Sequence, residues 1–97
     1  MKIYSLLVEF IGTMCLIIVV FTTRNFLAIG LTLSLIIFLG KMISKVTAIN
    51  PTVAIAFYLS GELDKITIIL YLIAEILGGL FGFFLFNTFI KNIVIAI

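Results

Sequence analysis

The sequence predicts an all-α membrane protein with three transmembrane helices and one short helix that enters the bilayer and turns back. Of the 97 residues, 65% are hydrophobic and only 10% are charged, and the mean hydropathy is +1.50. Three apolar runs are each about 20 residues long, the length that an α-helix needs to cross a bilayer. Between the second and third runs, an Asn-Pro pair begins a fourth run that is too short to span.

The composition also excludes several classes of function. A chain this short could not bury so much apolar surface in water, so its solvent and first partner is the lipid bilayer. A single cysteine, Cys15, excludes an internal disulfide framework. The chain has no histidine, so we expect no metal, no cofactor and no enzymatic activity. The net charge of +2 is too small to indicate a nucleic-acid partner.

The transmembrane helices are predicted over residues 3–21, 26–44 and 66–88, within one membrane domain of residues 1–97. The first run differs from a secretory signal peptide because it is longer, contains Glu9 and is followed by no A-x-A cleavage site. The C-terminal stretch "NIVIAI" is apolar but too short to span. We expect that stretch to lie at the membrane interface.

The short run, residues 50–60, has the signals of a half-length helix. Asn50 is a favoured N-cap, Pro51 is favoured at the first helical position, and Gly61 stands where a helix commonly ends. About ten residues reach roughly 15 Å, half of the hydrocarbon thickness. A helix lying flat at the interface would need a polar face, and this segment is apolar almost all round. A re-entrant half-helix is therefore predicted, with its inner end facing protein or a watery cavity.

Three stretches carry a resemblance to a known family. They are "VEFIGT" at 8–13, "AINPTVAIAFYLSGELD" at 48–64 and "YLIAEILGGLFG" at 71–82. In order and approximate spacing they resemble the first half of an aquaporin, a major intrinsic protein. The resemblance implies an aquaporin-like half-repeat of three transmembrane helices and one Asn-Pro re-entrant half-helix. It also implies a channel for water or small neutral solutes such as glycerol.

The sequence departs from the family pattern at several positions. The motif has Thr52 where alanine is usual, and residues 45–48 replace the usual Ser-Gly-Ala-His. Val53 follows the motif, as in first halves, where second halves usually carry an arginine. Ile29 stands in place of the second-helix aromatic of the outer filter, and Glu75 in place of a glutamine. The pore residues implied by the resemblance are Asn50, Pro51, Thr52, Val53 and Ile29.

Elementary physics leads to the same central site. The inner end of a half-helix carries roughly half a positive elementary charge and several unpaired N–H groups. The side-chain oxygen of Asn50 can cap one of these donors, which leaves its NH₂ group facing the cavity. Two opposed half-helices would place two such amides at one point. A water molecule there would accept from both, which interrupts a proton wire, and the dipoles would repel cations.

Glu9 and Glu75 lie within predicted spanning helices, where carboxylates are costly and usually functional. We expect both to anchor the loop before Asn50 by accepting its backbone N–H groups, with Lys41 or Lys45 able to neutralise one of them. The alternative role is a proton relay. Small residues allow close helix packing. The glycines assigned to packing are Gly12, Gly30, Gly78, Gly79 and Gly82.

Basic residues predict the topology. Three spans place the termini on opposite sides of the membrane. The predicted N-terminal side holds Lys2, Lys41, Lys45 and Lys65, and the other holds Arg24 and Lys91. This difference favours a cytoplasmic N-terminus but is small enough to permit dual topology.

A pore of this design needs a second, inverted half. We expect it to come from another copy of the chain, in an inverted homodimer, or from another half-channel subunit. Two alternative functions are also compatible with the sequence. One is a non-conducting membrane interaction protein that associates with a full-length channel. The other is a small proton-coupled carrier that uses Glu9 and Glu75.

Overall fold

The computed structural model describes residues 3–97, so Lys2 of the predicted topology lies outside the described residues. The helices are α1 (Ile3–Thr23), α2 (Phe26–Ile43), α3 (Pro51–Leu59), α4 (Lys65–Leu85) and α5 (Lys91–Ala96), with a π-helical turn, Phe86–Ile90, between α4 and α5. The described part of the chain contains no β-strand. Three helices are long and apolar enough to cross a membrane: α1, α2 and the continuous run from α4 to α5. The predicted all-α membrane fold is therefore confirmed.

A tight connection joins α1 to α2. Arg24 adopts a left-handed backbone conformation with φ of 48°, which reverses the chain in two residues. The side-chain oxygen of Asn25 then accepts a hydrogen bond from the backbone N–H of Ala28 at 3.0 Å and caps α2. Compared with the predicted ranges, α1 continues two residues further and α2 ends one residue earlier.

The segment from Ser44 to Asn50 is irregular and leads into α3. At the other end of α3, Gly61 has φ of 87°, and the backbone N–H of Glu62 donates to the Phe57 carbonyl at 2.9 Å. This left-handed glycine ends the helix after nine residues, as expected for a C′ position. Asp64 then caps α4 by accepting from the Thr67 N–H at 2.7 Å.

The C-terminal stretch continues the third spanning helix. The helical run from Lys65 to Ala96 has 32 residues. No proline or glycine follows Gly82, and the π-helical turn keeps the backbone bonded, with the Lys91 N–H donating to the Phe86 carbonyl. At 1.5 Å per residue the run is about 48 Å long, which exceeds the roughly 30 Å hydrocarbon core.

Helix α1 lies between α2 and α4 and packs most extensively on α4, while α3 also packs on α4. Helices α1 and α4 run parallel, with Phe10 opposite Gly78 and Met14 opposite Gly82. The small buried core surrounds the irregular segment and α3. Its members are Ala48, Ala54, Leu63, Ile68 and Tyr71. Most other apolar side chains face outward, as expected where lipid is the solvent.

Candidate functional site

Asn50 caps the inner end of α3 with its side chain. Its Oδ1 atom accepts hydrogen bonds from the backbone N–H groups of Thr52, at 2.8 Å, and Val53, at 3.4 Å. Pro51 occupies the first helical position, where the missing N–H costs nothing. Because the oxygen is engaged by the helix, the NH₂ group of the exposed Asn50 side chain is left as a donor.

The depth of this end follows from its contacts with α1. The hydroxyl of Thr13 donates to the Ile49 carbonyl at 3.3 Å. Thr13 is the middle residue of α1, which has 21 residues. Beside it, Gly12 packs directly under the Ile49 side chain. The positive end of α3 therefore lies level with the centre of a membrane-spanning helix.

Glu9 holds the irregular segment in place. Its Oε2 atom accepts from the backbone N–H of Ala48 at 3.0 Å, and its Oε1 atom accepts from that of Ile49 at 2.8 Å. Ile49 has φ of 60°, a left-handed conformation that is costly for a β-branched residue. The two hydrogen bonds supply free energy to offset this strain, and they satisfy two N–H groups that would otherwise be unpaired at membrane depth.

Further bonds fix the start of the same segment. The Tyr71 hydroxyl of α4 donates to the Val46 carbonyl. The Ser44 hydroxyl is 2.9 Å from the Ser5 hydroxyl of α1 and 3.0 Å from the Val46 carbonyl. The irregular segment is thus attached to α1 and to α4, which together set the position of Asn50.

Glu75 does not share the anchoring role predicted for it. Its side chain is 2% exposed, and neither carboxyl oxygen has a hydrogen-bond partner among the described residues. Gly78, one turn after Glu75 on α4, lies against Phe10, the residue next to Glu9 on α1, so the two carboxyl groups share one buried contact. Lys41 and Lys45 are both exposed on the surface of the chain, so neither neutralises the buried pair. Glu9 alone accepts the backbone N–H groups, because it lies directly beside Ala48 and Ile49.

A groove of about 380 Å³ continues from the inner end of α3, between the second halves of α1 and α4. Pro51 and Glu75 line it near α3, and Phe21 and Phe83 line its far end. The walls are almost entirely apolar. The positive end of the α3 dipole lies at this groove, because Pro51, the first residue of α3, lines it.

Four of the five predicted packing glycines, all except Gly12, fall into two groups. A methyl group at Gly78 would collide with the Phe10 carbonyl oxygen, and one at Gly82 would lie 2.6 Å from the Met14 carbonyl oxygen. These two positions require glycine, because backbone atoms cannot move aside as a side chain can. A methyl at Gly79 would make ordinary contacts at 3.6 Å, and Gly30 has no neighbour within 4 Å. Gly30 therefore takes no part in packing within the described chain.

The residues of the implied outer filter lie apart from the central site. Val53 is on the exposed surface of α3, with its N–H bonded to Asn50. Ile29 is in the first turn of α2, seven residues before Ile36, the α2 residue that lies beside Gly12. Seven residues of helix correspond to about 10 Å. Ile29 is therefore not adjacent to Asn50 within the described chain.

Sequence reasoning missed three residues that build the site. Thr13 lies one turn after Glu9 on α1, and Tyr71 lies one turn before Glu75 on α4. This helical spacing from an intramembrane carboxylate was the available signal. Gly40 was also missed. A methyl group there would come within 2.8 Å of the Thr47 side chain.

Comparisons with known proteins point to one family. The family model described as "MIP: Major intrinsic protein" matches residues 24–96, which include α2, the Asn-Pro segment, α3 and the third spanning helix. No curated protein and no solved structure matches the chain.

Proposed function

The chain belongs to the major intrinsic protein family, and from that membership we propose that it forms one half of a passive pore for water and small neutral solutes. At the coarser level it is a channel-like membrane protein. The observation that carries the proposal is the cap of α3, in which the Oδ1 atom of Asn50 accepts from the Thr52 N–H and leaves the amide NH₂ free. The donor is level with the middle of α1.

This arrangement suits a neutral solute. A water molecule that accepts a hydrogen bond from the Asn50 amide has its own hydrogens turned away from the centre, which interrupts proton transfer along a file of waters. The positive end of α3 adds a field that repels cations. A carboxylate at position 50 could still cap the helix but could not donate. The amide is therefore the feature on which selective conduction depends.

The second half of the pore is supplied, in this proposal, by an inverted copy of the same chain. Asn50, Pro51 and Thr52 are exposed at mid-membrane depth, where lipid would leave the amide unsatisfied. An inverted copy would bring a second positive helix end and a second amide opposite the first. The weak difference in lysine and arginine between the two sides permits insertion both ways. Another half-channel subunit is the competing source.

The proposed solute range includes glycerol and urea as well as water. Val53 supplies no arginine after the motif, and Ile29 supplies no aromatic ring. A pore mouth without these groups is wider and less polar than that of a strict water channel. Vesicles containing the purified chain should therefore pass water, glycerol and urea. Passage of water with full exclusion of glycerol and urea would refute this part of the proposal.

The central test is Asn50→Asp in proteoliposomes, with water flux followed by stopped-flow light scattering. The variant should lose most of its flux, because a negative charge replaces the amide donor. The matched control is Asn92→Asp, the same substitution at an exposed position in the first turn of α5. This control should conduct like the wild type. Equal flux through the Asn50→Asp variant, at equal protein incorporation, would overturn the proposal.

Orientation is tested separately. A single cysteine at position 97, in a Cys15→Ser background, should label from both sides of the membrane. Two lysines inserted after Arg24 should drive all copies into one orientation and abolish flux, and co-expression with an oppositely biased variant should restore it. Labelling from one side only, with flux retained by the purified chain, would show that the inverted homodimer is wrong.

A proton-coupled carrier is the second candidate function, and the buried Glu9–Glu75 pair is the observation that favours it. A carrier must exchange its proton with both sides of the membrane. The Glu75 oxygens are sealed from the surface of the chain, which favours the pore. Proton flux in the same vesicles distinguishes the two, since the pore should pass water without protons.

A further inference from the structure

The interface between α1 and α4 contains two carboxyl groups in an otherwise apolar and glycine-rich contact. Glu9 is fully buried and Glu75 nearly so, and each lies on the face of its helix that meets the other. The contact of Gly78 with Phe10 brings Glu75, one turn before Gly78 on α4, opposite Glu9, the residue before Phe10 on α1. No part of the proposed conduction path uses this contact, because the oxygens of Glu75 are closed off from the groove beside them.

The two carboxyl groups have different surroundings. Both oxygens of Glu9 accept a backbone N–H, from Ala48 and from Ile49. With both oxygens already accepting, Glu9 is suited to accept a further hydrogen bond rather than to donate one. Both oxygens of Glu75 lack a donor among residues 3–97. A second ionised carboxylate there would be buried, unpaired and beside a like charge, an arrangement that proteins avoid by keeping a proton.

The titratable side chains on the helices around the pair are engaged elsewhere or exposed. The Tyr71 hydroxyl on α4 is committed to the Val46 carbonyl. Cys15, two turns along α1 from Glu9, faces the separate groove between α1 and α2. Tyr58 of α3 is exposed, as are Lys41, Lys45 and Lys65. None of these groups donates a hydrogen bond to the carboxyl group of Glu75.

We propose that Glu9 and Glu75 together bind a single proton, which is carried by Glu75 and donated in a hydrogen bond to the carboxylate of Glu9. The ligand is the proton itself, which needs no cavity. The bound proton joins α4 to α1 and holds Glu9 in position under the irregular segment, so that the segment carries Asn50 at the correct depth. Glu75 is thus a positioning residue that acts through Glu9.

Removal of the shared proton should weaken the contact between α1 and α4. At alkaline pH the pair becomes two adjacent carboxylates, whose repulsion separates α1 from α4 and weakens the contact with Ala48 and Ile49. Under the proposal, the folded chain is therefore expected to lose stability when the shared proton is removed at alkaline pH.

The experiment is infrared spectroscopy of the purified chain in liposomes, which requires no conduction. At neutral pH the wild type should show the C=O stretch of a protonated carboxylic acid, with an area of one group per chain, shifting on exchange into D₂O. Glu75→Gln should lose the band. Its amide can donate to Glu9 permanently, so this variant should also keep its thermal stability as the pH is raised. The exposed residue Glu62 provides the matched control, and Glu62→Gln should keep the band.

The wild-type titration provides a measurement that is independent of any variant. Its band should disappear and its melting temperature should fall together as the pH is raised. Absence of the band in the wild type at neutral pH would overturn the proposal. So would a band that survives Glu75→Gln, because the proton would then reside elsewhere. Since neither result involves flux, failure here leaves the proposed pore untouched, and loss of the pore leaves this site untouched.

Discussion

Two faces of α1 illustrate how this chain packs in a membrane. Against α4 it meets Tyr71, Glu75, Gly78 and Gly82, all buried, whereas α2 on the other side buries only Gly40. We call the first contact the α1–α4 seam. The two neighbours are almost equally apolar, with peak hydropathies of 2.3 for the third spanning helix and 2.2 for α2. Hydropathy therefore does not distinguish a helix that forms the core from one that covers it.

The difference between the α1–α4 contact and the α1–α2 contact has a physical reason. Lipid tails are as apolar as leucine, so burial of an apolar side chain between helices gains little in a bilayer. Association depends instead on close backbone contact and on polar groups that lipid cannot satisfy. The α1–α4 seam has both features. Helix α2 presents mostly large apolar side chains outward, a surface suited to lipid or to another subunit.

The largest effect is expected from breaking the polar part of the seam. Glu9→Ala leaves the N–H groups of Ala48 and Ile49 buried without an acceptor. At roughly 2 kcal/mol for each group, we expect a loss of about 4 kcal/mol in the free energy of unfolding. Unfolding in mixed micelles measures it. Glu62→Ala, on the surface, should cost less than about 1 kcal/mol. Equal losses in the two variants would show that Glu9 does not anchor the segment.

The second effect comes from the close-packed part of the seam. Gly78→Ala brings a methyl group against the Phe10 carbonyl oxygen, so the two helices must separate. We expect a loss of about 2 kcal/mol in the free energy of unfolding. Its control is the adjacent Gly79→Ala, whose methyl group meets the Thr13 side chain at an ordinary 3.6 Å. That variant should change stability by less than about 0.5 kcal/mol. Comparable losses at both positions would contradict the assigned contact.

A smaller effect concerns the N-terminal caps of α2 and α4, the two helices that flank α1. Asp64 caps α4 with a carboxylate, whereas Asn25 caps α2 with a neutral amide. The backbone hydrogen bond from Thr67 lowers the pKa of Asp64 below its usual range. The stabilisation is present above the ordinary pKa of aspartate and is lost as the pH falls through the lowered one.

Hydrogen exchange of the first turn of each helix, measured as the pH is lowered, tests this difference. Protection should decrease at the start of α4 and stay constant at the start of α2. Asp64→Asn should make the two helices behave alike, because asparagine keeps a neutral acceptor at the cap. An acid-dependent loss at α2, or one that persists at α4 in the variant, would contradict the assignment.

The smallest effect is expected on the outer face of α2. Leu31 is 69% exposed, so Leu31→Ala removes almost no contact within the chain. The free energy of unfolding of the dispersed chain in detergent should change by less than about 0.5 kcal/mol. A loss of several kcal/mol would show that α2 is packed as tightly as α4, and the distinction between the two faces of α1 would fail.

Much of the architecture could be predicted because it depends on local properties. The spans follow from run length and hydropathy, and the ends of α3 follow from Asn50, Pro51 and Gly61. The extent of the third helix was underestimated. The predicted span ended at residue 88, whereas the backbone continues through a π-helical turn into α5.

The sequence by itself determined that this chain lies in a membrane, crosses it three times and inserts one capped half-helix. These features need only hydropathy and hydrogen bonds between residues a few positions apart. Only the tertiary structure decided that Glu9 holds the irregular segment while Glu75 faces Glu9, and that Gly78 is in close contact while Gly30 is open. Those outcomes depend on residues far apart in the chain, 39 and 40 positions for the two Glu9 bonds. Which helix face meets which neighbour is set by the packing of the whole bundle, because a bilayer provides no hydrophobic driving force that could be read from one helix alone.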